Sequence, residues 1–460
     1  MFRDFHLVEG PEADYLFFPE SVKFYTVPKE LAPTITGYLA GGDCVPPAIA
    51  PLLEKEEALA REAVETQRER LTAPVDADSL CFYMAHDCNL ACTYCYNKQG
   101  HAANPLMMMT GDVVDAAMRR WFTEPSRTYA VSFYGGEPLL NFRGMKEAVA
   151  LGKALEEERG IKIIYSMTTN GTVLSDEIVA FIDQHVSNVT VSLDGPQAVH
   201  DRHRLWQNKS ESHGTYQKVV SNLNRLRRET RAKVTLKGTL AGDAVDLYEE
   251  SLQHLRELDS NGVMLTPAYT EPGNGAAIDD AAYSEYVRRY AEQSKLFFTS
   301  DDGQGAADGS ALDMVANLLT RRKFTKHCDA GTNPAVTADG SLYACHGLVG
   351  VPEFYMGKLG DGREQEMQMK ALFDRLNVCE MDECRQCWVR YLCGGSCYAH
   401  AYFNTGSVHR AEPRHCELAK KNAETVIVQF MVAMADPEKR ARVYRAVKET
   451  INPAQGMAHG

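Results

Sequence analysis

No run of 18 or more apolar residues occurs in this 460-residue chain, so a membrane-spanning helix is not expected. A surplus of positive charge is also missing. With 49 Lys and Arg against 62 Asp and Glu, the formal net charge is −13, which argues against nucleic acid or an acidic membrane surface as partner. The basic stretch Arg225-Leu226-Arg227-Arg228 falls on an amphipathic helix with Val219, Val220, Leu223 and Leu226 on its other side, and a solvated helix face accounts for it. Internal repeats are absent, and Met1-Phe2-Arg3-Asp4-Phe5-His6 does not read as a signal peptide. A cytoplasmic location is therefore expected. At 44% hydrophobic residues, the chain can fill the cores of about three domains.

Cysteine is plentiful, with 13 residues. In a long cytoplasmic chain, clustered thiols hold metal more often than they form disulfides. Cys88-Asn89-Leu90-Ala91-Cys92-Thr93-Tyr94-Cys95 curls three thiolates around one small volume, which suits three corners of an iron–sulfur cube. A structural zinc site would want a fourth ligand nearby. The next cysteine is Cys328, so the loop leaves one metal position open. The bland alternative is buried apolar cysteines in a loop after the strand-like run Cys81-Phe82-Tyr83-Met84. With Tyr94 as the aromatic before the last cysteine, the motif resembles that of the radical SAM superfamily. The resemblance implies an open iron that chelates the amino and carboxylate groups of S-adenosylmethionine.

Three further motifs follow, each after a strand-like run. In Gly135-Gly136-Glu137-Pro138, two glycines let the backbone approach a ligand closely, and Glu137 can accept hydrogen bonds from an ammonium group. The resemblance makes that group the methionyl amine. Thr168-Thr169-Asn170-Gly171 and Ser192-Leu193-Asp194-Gly195-Pro196 come next, and the family places both near the ribose and carboxylate of the cofactor. Alone, each motif reads as an ordinary turn. Their joint order behind a cysteine triad favours the cofactor-binding set Tyr94, Gly135, Gly136, Glu137, Thr168, Asn170 and Ser192.

Between about residues 76 and 270, short β-rich runs alternate with helical patterns, as parallel strands with crossover helices require. The pattern predicts strands at 80–86, 129–134, 162–168, 188–193, 233–240 and 262–268, with helices at 110–122, 142–159, 175–185, 215–229 and 246–258. Ser175 is an N-cap with Asp176 and Glu177 in the first turn, and Gly160 is a helix stop. Six repeats make an incomplete barrel, and in such folds chemistry gathers at the C-terminal ends of the strands. The fold class expected is α/β, a partial (β/α)6 barrel of the TIM type. It is flanked by a small N-terminal α+β module and a cysteine-rich C-terminal iron–sulfur domain.

That second cysteine system comprises Cys328, Gly340 and Cys345, then Cys384, Cys387, Cys393, Cys397 and Cys416. Eleven residues separate Cys328 from Gly340, four separate Gly340 from Cys345, and the later gaps are two, five and three. A zinc ribbon is the alternative. The pattern closely resembles the SPASM extension of radical SAM enzymes, which carries two auxiliary 4Fe–4S clusters. With the first cluster, the resemblance implies three 4Fe–4S clusters. The family's interleaved ligation gives Cys384, Cys387, Cys393 and Cys416 to one auxiliary cluster and Cys328, Cys345 and Cys397 to the other. The latter set is one short. Cys379 is a candidate fourth ligand; alternatively the iron is open to a substrate thiolate, or Cys379 is a buried bystander. Cys44 and Cys81 lack spaced partners and read as bystanders. His346, directly after Cys345, reads as a hydrogen-bond donor around the cluster or as a packed residue.

Residues 1–72 form an N-terminal module, with strands suggested at Tyr15-Leu16-Phe17-Phe18-Pro19 and Val22-Lys23-Phe24-Tyr25-Thr26-Val27 and a charged helix from Leu52 to Thr72. A structural cap is one reading. The layout also resembles the leader-peptide-binding modules of peptide-modifying radical enzymes, which offer a sheet edge for an added strand. The radical SAM core is expected at 73–305, the SPASM domain at 306–416 and a C-terminal helix at 417–460. Within 270–312, Pro272-Gly273-Asn274-Gly275 and Asp301-Asp302-Gly303-Gln304-Gly305 bracket a short helix that links barrel to extension.

The resemblance implies an oxidoreductase that takes an electron from a donor such as flavodoxin or ferredoxin. The electron cleaves S-adenosylmethionine, and the resulting 5′-deoxyadenosyl radical removes a hydrogen atom from a ribosomally made peptide or protein. The sequence around Cys328 and Cys345 looks most like maturases that form thioether or related crosslinks. The nearest rival is the anaerobic sulfatase maturase, which makes formylglycine and whose catalytic aspartate directly follows the ligand matching Cys345. Here that position is His346. A rival from another class is a non-catalytic iron–sulfur or zinc scaffold, which would have no need of Gly135-Gly136-Glu137. The catalytic acid or base is not identified by the sequence.

Overall fold

The computed structural model describes residues 3–42, 45–71, 77–96, 107–210, 213–258, 262–269, 274–299 and 310–451. The chain divides into two compact units, one of residues 1–74, 287–328 and 374–460, the other of residues 75–286 and 329–373.

The first unit contains a three-stranded antiparallel sheet of β1 (His6–Val8), β2 (Asp14–Phe18) and β3 (Lys23–Val27), in the order β1-β2-β3. Every residue of β2 is buried. The reason is that both faces of the sheet are covered. Leu16 and Phe18 pack with Phe5, Ile35, Tyr38, Ile49 and Leu53, residues carried in part by the helices Ala32–Leu39 and Ala50–Leu71. Tyr15 and Phe17 point the other way, as strand alternation requires, into a core with Val315, Val426, Ile427 and Val443. The N-terminal strands thus share a core with the C-terminal helices. The terminal helix expected from Glu417 onward is two helices, Pro413–Ala435 and Pro437–Ile451. Pro437 has no N–H to continue the first helix, and Asp436 Oδ1 instead accepts the N–H of Glu438 at 2.9 Å and of Lys439 at 3.1 Å.

The second unit carries the parallel strands β4 (Ser79–Ala85), β5 (Thr128–Gly135), β6 (Lys162–Thr169), β7 (Val186–Ser192), β8 (Lys233–Leu240) and β9 (Val263–Pro267), paired in sequence order. The helices Gly111–Trp121, Phe142–Arg159, Asp176–His185, Tyr216–Glu229 and Tyr248–Leu258 alternate with them. This is the partial barrel expected. Burial in β5, β6 and β8 alternates residue by residue, so one face of each strand is sealed and the other is half-buried. Ser175 Oγ accepts the Ile178 N–H at 3.2 Å, and Gly160 ends its helix at φ +65°.

The sheet does not stop at β4. A parallel strand β10 (Ala335–Val336) pairs Ala335 with Cys81 and Val336 with Phe82, and the antiparallel strands β11 (Ser341–Tyr343) and β12 (Tyr355–Lys358) follow, giving nine strands. The β10–β11 turn is locked by Asp339, whose carboxylate accepts Thr337 Oγ1 at 2.6 Å, Ser341 N at 3.1 Å and Ser341 Oγ at 2.9 Å. Although burial alone would raise that carboxyl, these bonds and Lys358 bring it to about 2. Gly340 completes the turn at φ +78°, a backbone region that a side chain disfavours. Among the described residues, no helix is long and apolar enough to cross a membrane.

Candidate active site

The cysteine loop begins where β4 ends, and main-chain hydrogen bonds dictate its course. Gly136 N donates to Ala85 O at 2.9 Å and Glu137 N to Asp87 O at 3.0 Å, so the pairing of β4 and β5 runs on into the loop. Both glycines are sterically required. A Cβ on Gly135 would lie 2.3 Å from Ala85 O and one on Gly136 2.3 Å from Asp87 O, with Cys88 Cβ 3.1 Å away; Gly135 also sits at φ +128°. The backbone these glycines admit is that of the cysteine loop itself.

On its other side the loop is laced to residues 203–207. Ala91 N donates to Leu205 O at 2.7 Å, Thr93 N to His203 O at 3.0 Å, and Gln207 N to Asn89 O at 2.9 Å. The His203 ring joins Thr93 Oγ1 at 2.8 Å through Nδ1 and Asp243 Oδ1 at 2.9 Å through Nε2. Side chains of the turn after β6 also bind the loop. Asn170 Nδ2 donates to Asn89 Oδ1 at 2.8 Å and lies 3.7 Å from Cys88 Sγ, while Asn89 Nδ2 donates to Thr172 Oγ1 at 2.8 Å.

Cys88, Cys92 and Cys95 are half-buried. Burial, with further contributions from Glu137, Cys92 and Cys95, pushes the Cys88 thiol up to about 12. A metal must therefore displace its proton on binding. Among the described residues, no three Cys, His, Asp or Glu side chains converge on a position for a single ion. Three thiols spread along one loop, within electrostatic reach of one another, suit a multi-iron cluster, whose ligands bond different metal atoms. The residues present fit the group.

Glu137 is fully buried, and its carboxylate accepts Leu139 N at 3.1 Å, Thr169 Oγ1 at 2.8 Å and Asn170 N at 2.7 Å. Burial pushes its pKa up to about 7 against the pull of these bonds. Three of roughly four acceptor positions on the carboxylate thus serve the protein. Thr168 and Ser192 stand at the C-terminal ends of β6 and β7 in half-buried positions, and Ser192 is in register with Lys237 of β8.

Tyr94 is buried among Ala241, Ala268 and Ala276 against Cys92. Its hydroxyl donates to Asp194, whose carboxylate also takes both Arg204 Nε and Nη2 at 3.0 Å and Thr239 N at 2.8 Å. Burial pushes the Asp194 carboxyl up, but the Arg204 guanidinium outweighs it and holds the group below its ordinary range. Arg204 also lies over the Tyr94 ring, 5.6 Å from its centroid, and within electrostatic reach of Cys92. Asn89, His203 and Arg204 escaped the sequence reading. The dense run of ionisable residues His200-Asp201-Arg202-His203-Arg204, shortly after the Ser192-Leu193-Asp194-Gly195 turn, was the available signal for His203 and Arg204.

Beyond the barrel core, the His346 ring packs 4.9 Å from the Tyr134 ring, and its carbonyl accepts the Tyr83 hydroxyl at 2.6 Å. Burial, reinforced by Lys237, lowers the imidazole to about 4. In the other unit, Cys384, Cys387, Cys393 and Cys416 lie within electrostatic reach of one another. Burial is the main cause that pushes Cys384 and Cys393 up to about 12 and Cys416 to about 11. Cys379 and Cys416 pack on a cluster that includes Cys384, Tyr391 and Ala411, with Cys379 Sγ 3.7 Å from Tyr391 Oη. Cys328 and Cys397 belong to this unit and Cys345 to the barrel unit. Cys81 packs beside Tyr83, Ala335 and Val349, and Cys44 lies outside the described residues.

Residues 82–258 match the Radical SAM superfamily model. The chain is 24% identical over 334 residues to the cysteine-type anaerobic sulfatase-maturating enzyme of Clostridium perfringens, an alignment that spans 67% of this chain and 85% of that enzyme. It is 24% identical over 331 residues to the serine-type enzyme of Klebsiella aerogenes, spanning 68% and 77%. Among solved structures, native anSMEcpe with bound AdoMet and Cp18Cys peptide shares the fold with a TM-score of 0.64 at 19% identity, over 79% of this chain and 100% of that one. Streptococcus suis SuiB shares it at 0.51 and 11% identity, over 89% and 97%. The motif order, the barrel that presents it and these relatives agree: the chain is a radical SAM enzyme related to the anaerobic sulfatase-maturating enzymes, with a cysteine-rich C-terminal region.

Proposed function

We propose that this enzyme is a cytoplasmic maturase that modifies a cysteine-bearing, ribosomally made peptide by forming a thioether or related crosslink. When bound, the first cluster and S-adenosylmethionine supply the 5′-deoxyadenosyl radical that removes a substrate hydrogen atom. In this reading Cys88, Cys92 and Cys95 hold the cluster, and Tyr94, Gly135, Gly136, Glu137, Thr168, Asn170 and Ser192 shape the cofactor site. Cys384, Cys387, Cys393 and Cys416 hold one auxiliary cluster. The sequence pattern assigns Cys328, Cys345 and Cys397 to another, three clusters in all. An electron donor such as flavodoxin or ferredoxin supplies the reducing electron. The sheet of β1 to β3, with β1 and β3 at its edges, is a candidate leader-peptide dock of the strand-addition kind.

The observation that carries the crosslink reading is His346. The residue after Cys345 is an imidazole wedged against Tyr134, where formylglycine chemistry in the resembling family uses a carboxylate. A thioether needs its acceptor sulfur as thiolate, which metal ligation supplies without a protein base.

Formylglycine formation is the second reading, favoured by the sulfatase-maturating relatives. Mass spectrometry after anaerobic turnover separates the two. A cysteine peptide that loses two hydrogens and its free thiol, with a linkage located by fragmentation, supports the crosslink. An aldehyde that reacts with a hydrazide probe supports formylglycine and overturns it.

A further inference from the structure

In the first unit, the imidazole of His415 touches a sulfur. Its Nε2 lies 3.4 Å from Cys393 Sγ, within the range for a sulfur hydrogen bond. The ring is held on several sides. His415 opens the helix Pro413–Ala435, and its main-chain N–H donates to the Glu412 carboxylate that caps that helix. Glu412 is itself fixed, its N–H donating to Ser396 Oγ at 3.2 Å. The His327 ring meets the His415 ring edge to face, with centroids 5.5 Å apart and an angle of 84° between the planes. The cap fixes the backbone of His415, and the His327 ring restrains the imidazole itself.

Cys393 has a second neighbour, the Gly395 carbonyl at 3.2 Å. A carbonyl can only accept, so it suits the protonated thiol. Once the sulfur is a thiolate bound to metal, it can only accept as well, and the carbonyl contact no longer offers a hydrogen bond. The Gly395 backbone also hydrogen-bonds the His415 ring, and with the proton on Nε2 the ring can donate to the thiolate 3.4 Å away.

We infer that His415 donates an N–H···S hydrogen bond to the Cys393 thiolate of the auxiliary cluster held by Cys384, Cys387, Cys393 and Cys416, and that this bond sets the cluster's reduction potential. The inference rests on the cluster assignment proposed above. Hydrogen bonds to cluster sulfurs withdraw electron density and stabilise the reduced state, so the donor makes the potential less negative. His415 is a positioning residue in this role, since it acts through Cys393.

The test uses the full-length, anaerobically reconstituted protein. First, iron is counted in a variant with Cys384, Cys387, Cys393 and Cys416 all changed to Ala; an undiminished count would end the cluster assignment itself. With that assignment intact, an EPR-monitored redox titration compares wild type, His415→Gln and His415→Phe. The Gln variant should keep a potential near that of wild type, and the Phe variant should shift it to a more negative value. A Phe variant with full iron and an unchanged potential would overturn the inference. Should the Phe variant lose its cluster, the wild type labelled with ¹⁵N-histidine decides. A ¹⁵N coupling to the reduced cluster that disappears in His415→Gln is the expected result, and its absence from the wild type overturns the inference.

Discussion

The main-chain N–H of Asn170 donates to Glu137 Oε2 at 2.7 Å, which ties the turn after β6 to the turn after β5 beneath the cysteine loop. The same carboxylate is pushed up to about 7 by burial, so its charge state changes near neutral pH. Its folded value lies above the ordinary 4.5. The stabilising contribution is therefore fully present below about pH 4.5 and lost as the pH rises through about 7, a change of about 3 kcal/mol. In urea unfolding of the metal-free protein, the stability of wild type minus that of Glu137→Gln should fall by this amount across the window. A difference independent of pH would show that the carboxylate is ionised throughout.

Asp194 and Arg204 form a buried, two-bonded ion pair, 1% and 7% exposed. Arg204→Met leaves the Asp194 charge without its partner, a loss of about 3–5 kcal/mol. Asp194→Asn with Arg204→Met together should recover part of it. Denaturant titrations of the two single variants and the double variant measure the coupling, and simple additivity would refute it.

Gly136→Ala drives a Cβ into the Asp87 carbonyl, 2.3 Å away, beside Cys88. Because Asp87 is backbone at the root of the loop, it can retreat only by moving Cys88. Reconstituted Gly136→Ala should hold about four fewer iron atoms than the wild type while its circular dichroism is retained. Full iron content would mean that the loop gives way at no cost to the site.

Changing Cys88, Cys92 and Cys95 together to Ala should leave about eight of about twelve iron atoms and no S-adenosylmethionine cleavage. The measurements are iron analysis and chromatography of 5′-deoxyadenosine. Any 5′-deoxyadenosine above background would refute the assignment of this loop.

The barrel was legible because its strands are long enough to alternate and its helices carry punctuation the eye can find, such as Ser175 and Gly160. The cysteine loop was legible from spacing alone. Strands β10 and β11, of two and three residues, are too short for any period to appear, and only tertiary pairing creates them. Asn89, His203 and Arg204 were hidden for a different reason. The ionisable run at 200–204 marks unusual residues, but a hydrogen-bond partner some 80 to 110 residues away, as between Asn170 and Asn89 or His203 and Thr93, is not named by any local pattern. The motif reads Glu137 as an acceptor for an ammonium group; that its carboxylate also accepts three protein N–H or O–H groups depends on the path of the chain.

The parallel pairing of Ala335 with Cys81 and Val336 with Phe82 gives β4 a neighbour on the side away from β5. Without residues 329–373, the row of N–H and C=O groups along that side of β4 would be bare, and bare strand edges recruit strands from other molecules. A fragment cut at residue 305, where composition suggests a boundary, would contain every radical SAM motif and yet present a self-adhesive flank. Expression of residues 73–305 alone should yield aggregates, and a fragment continuing through residue 373 removes that source of self-association. The stretch leading into the cysteine-rich region thus shields the outer edge of the first strand of the barrel.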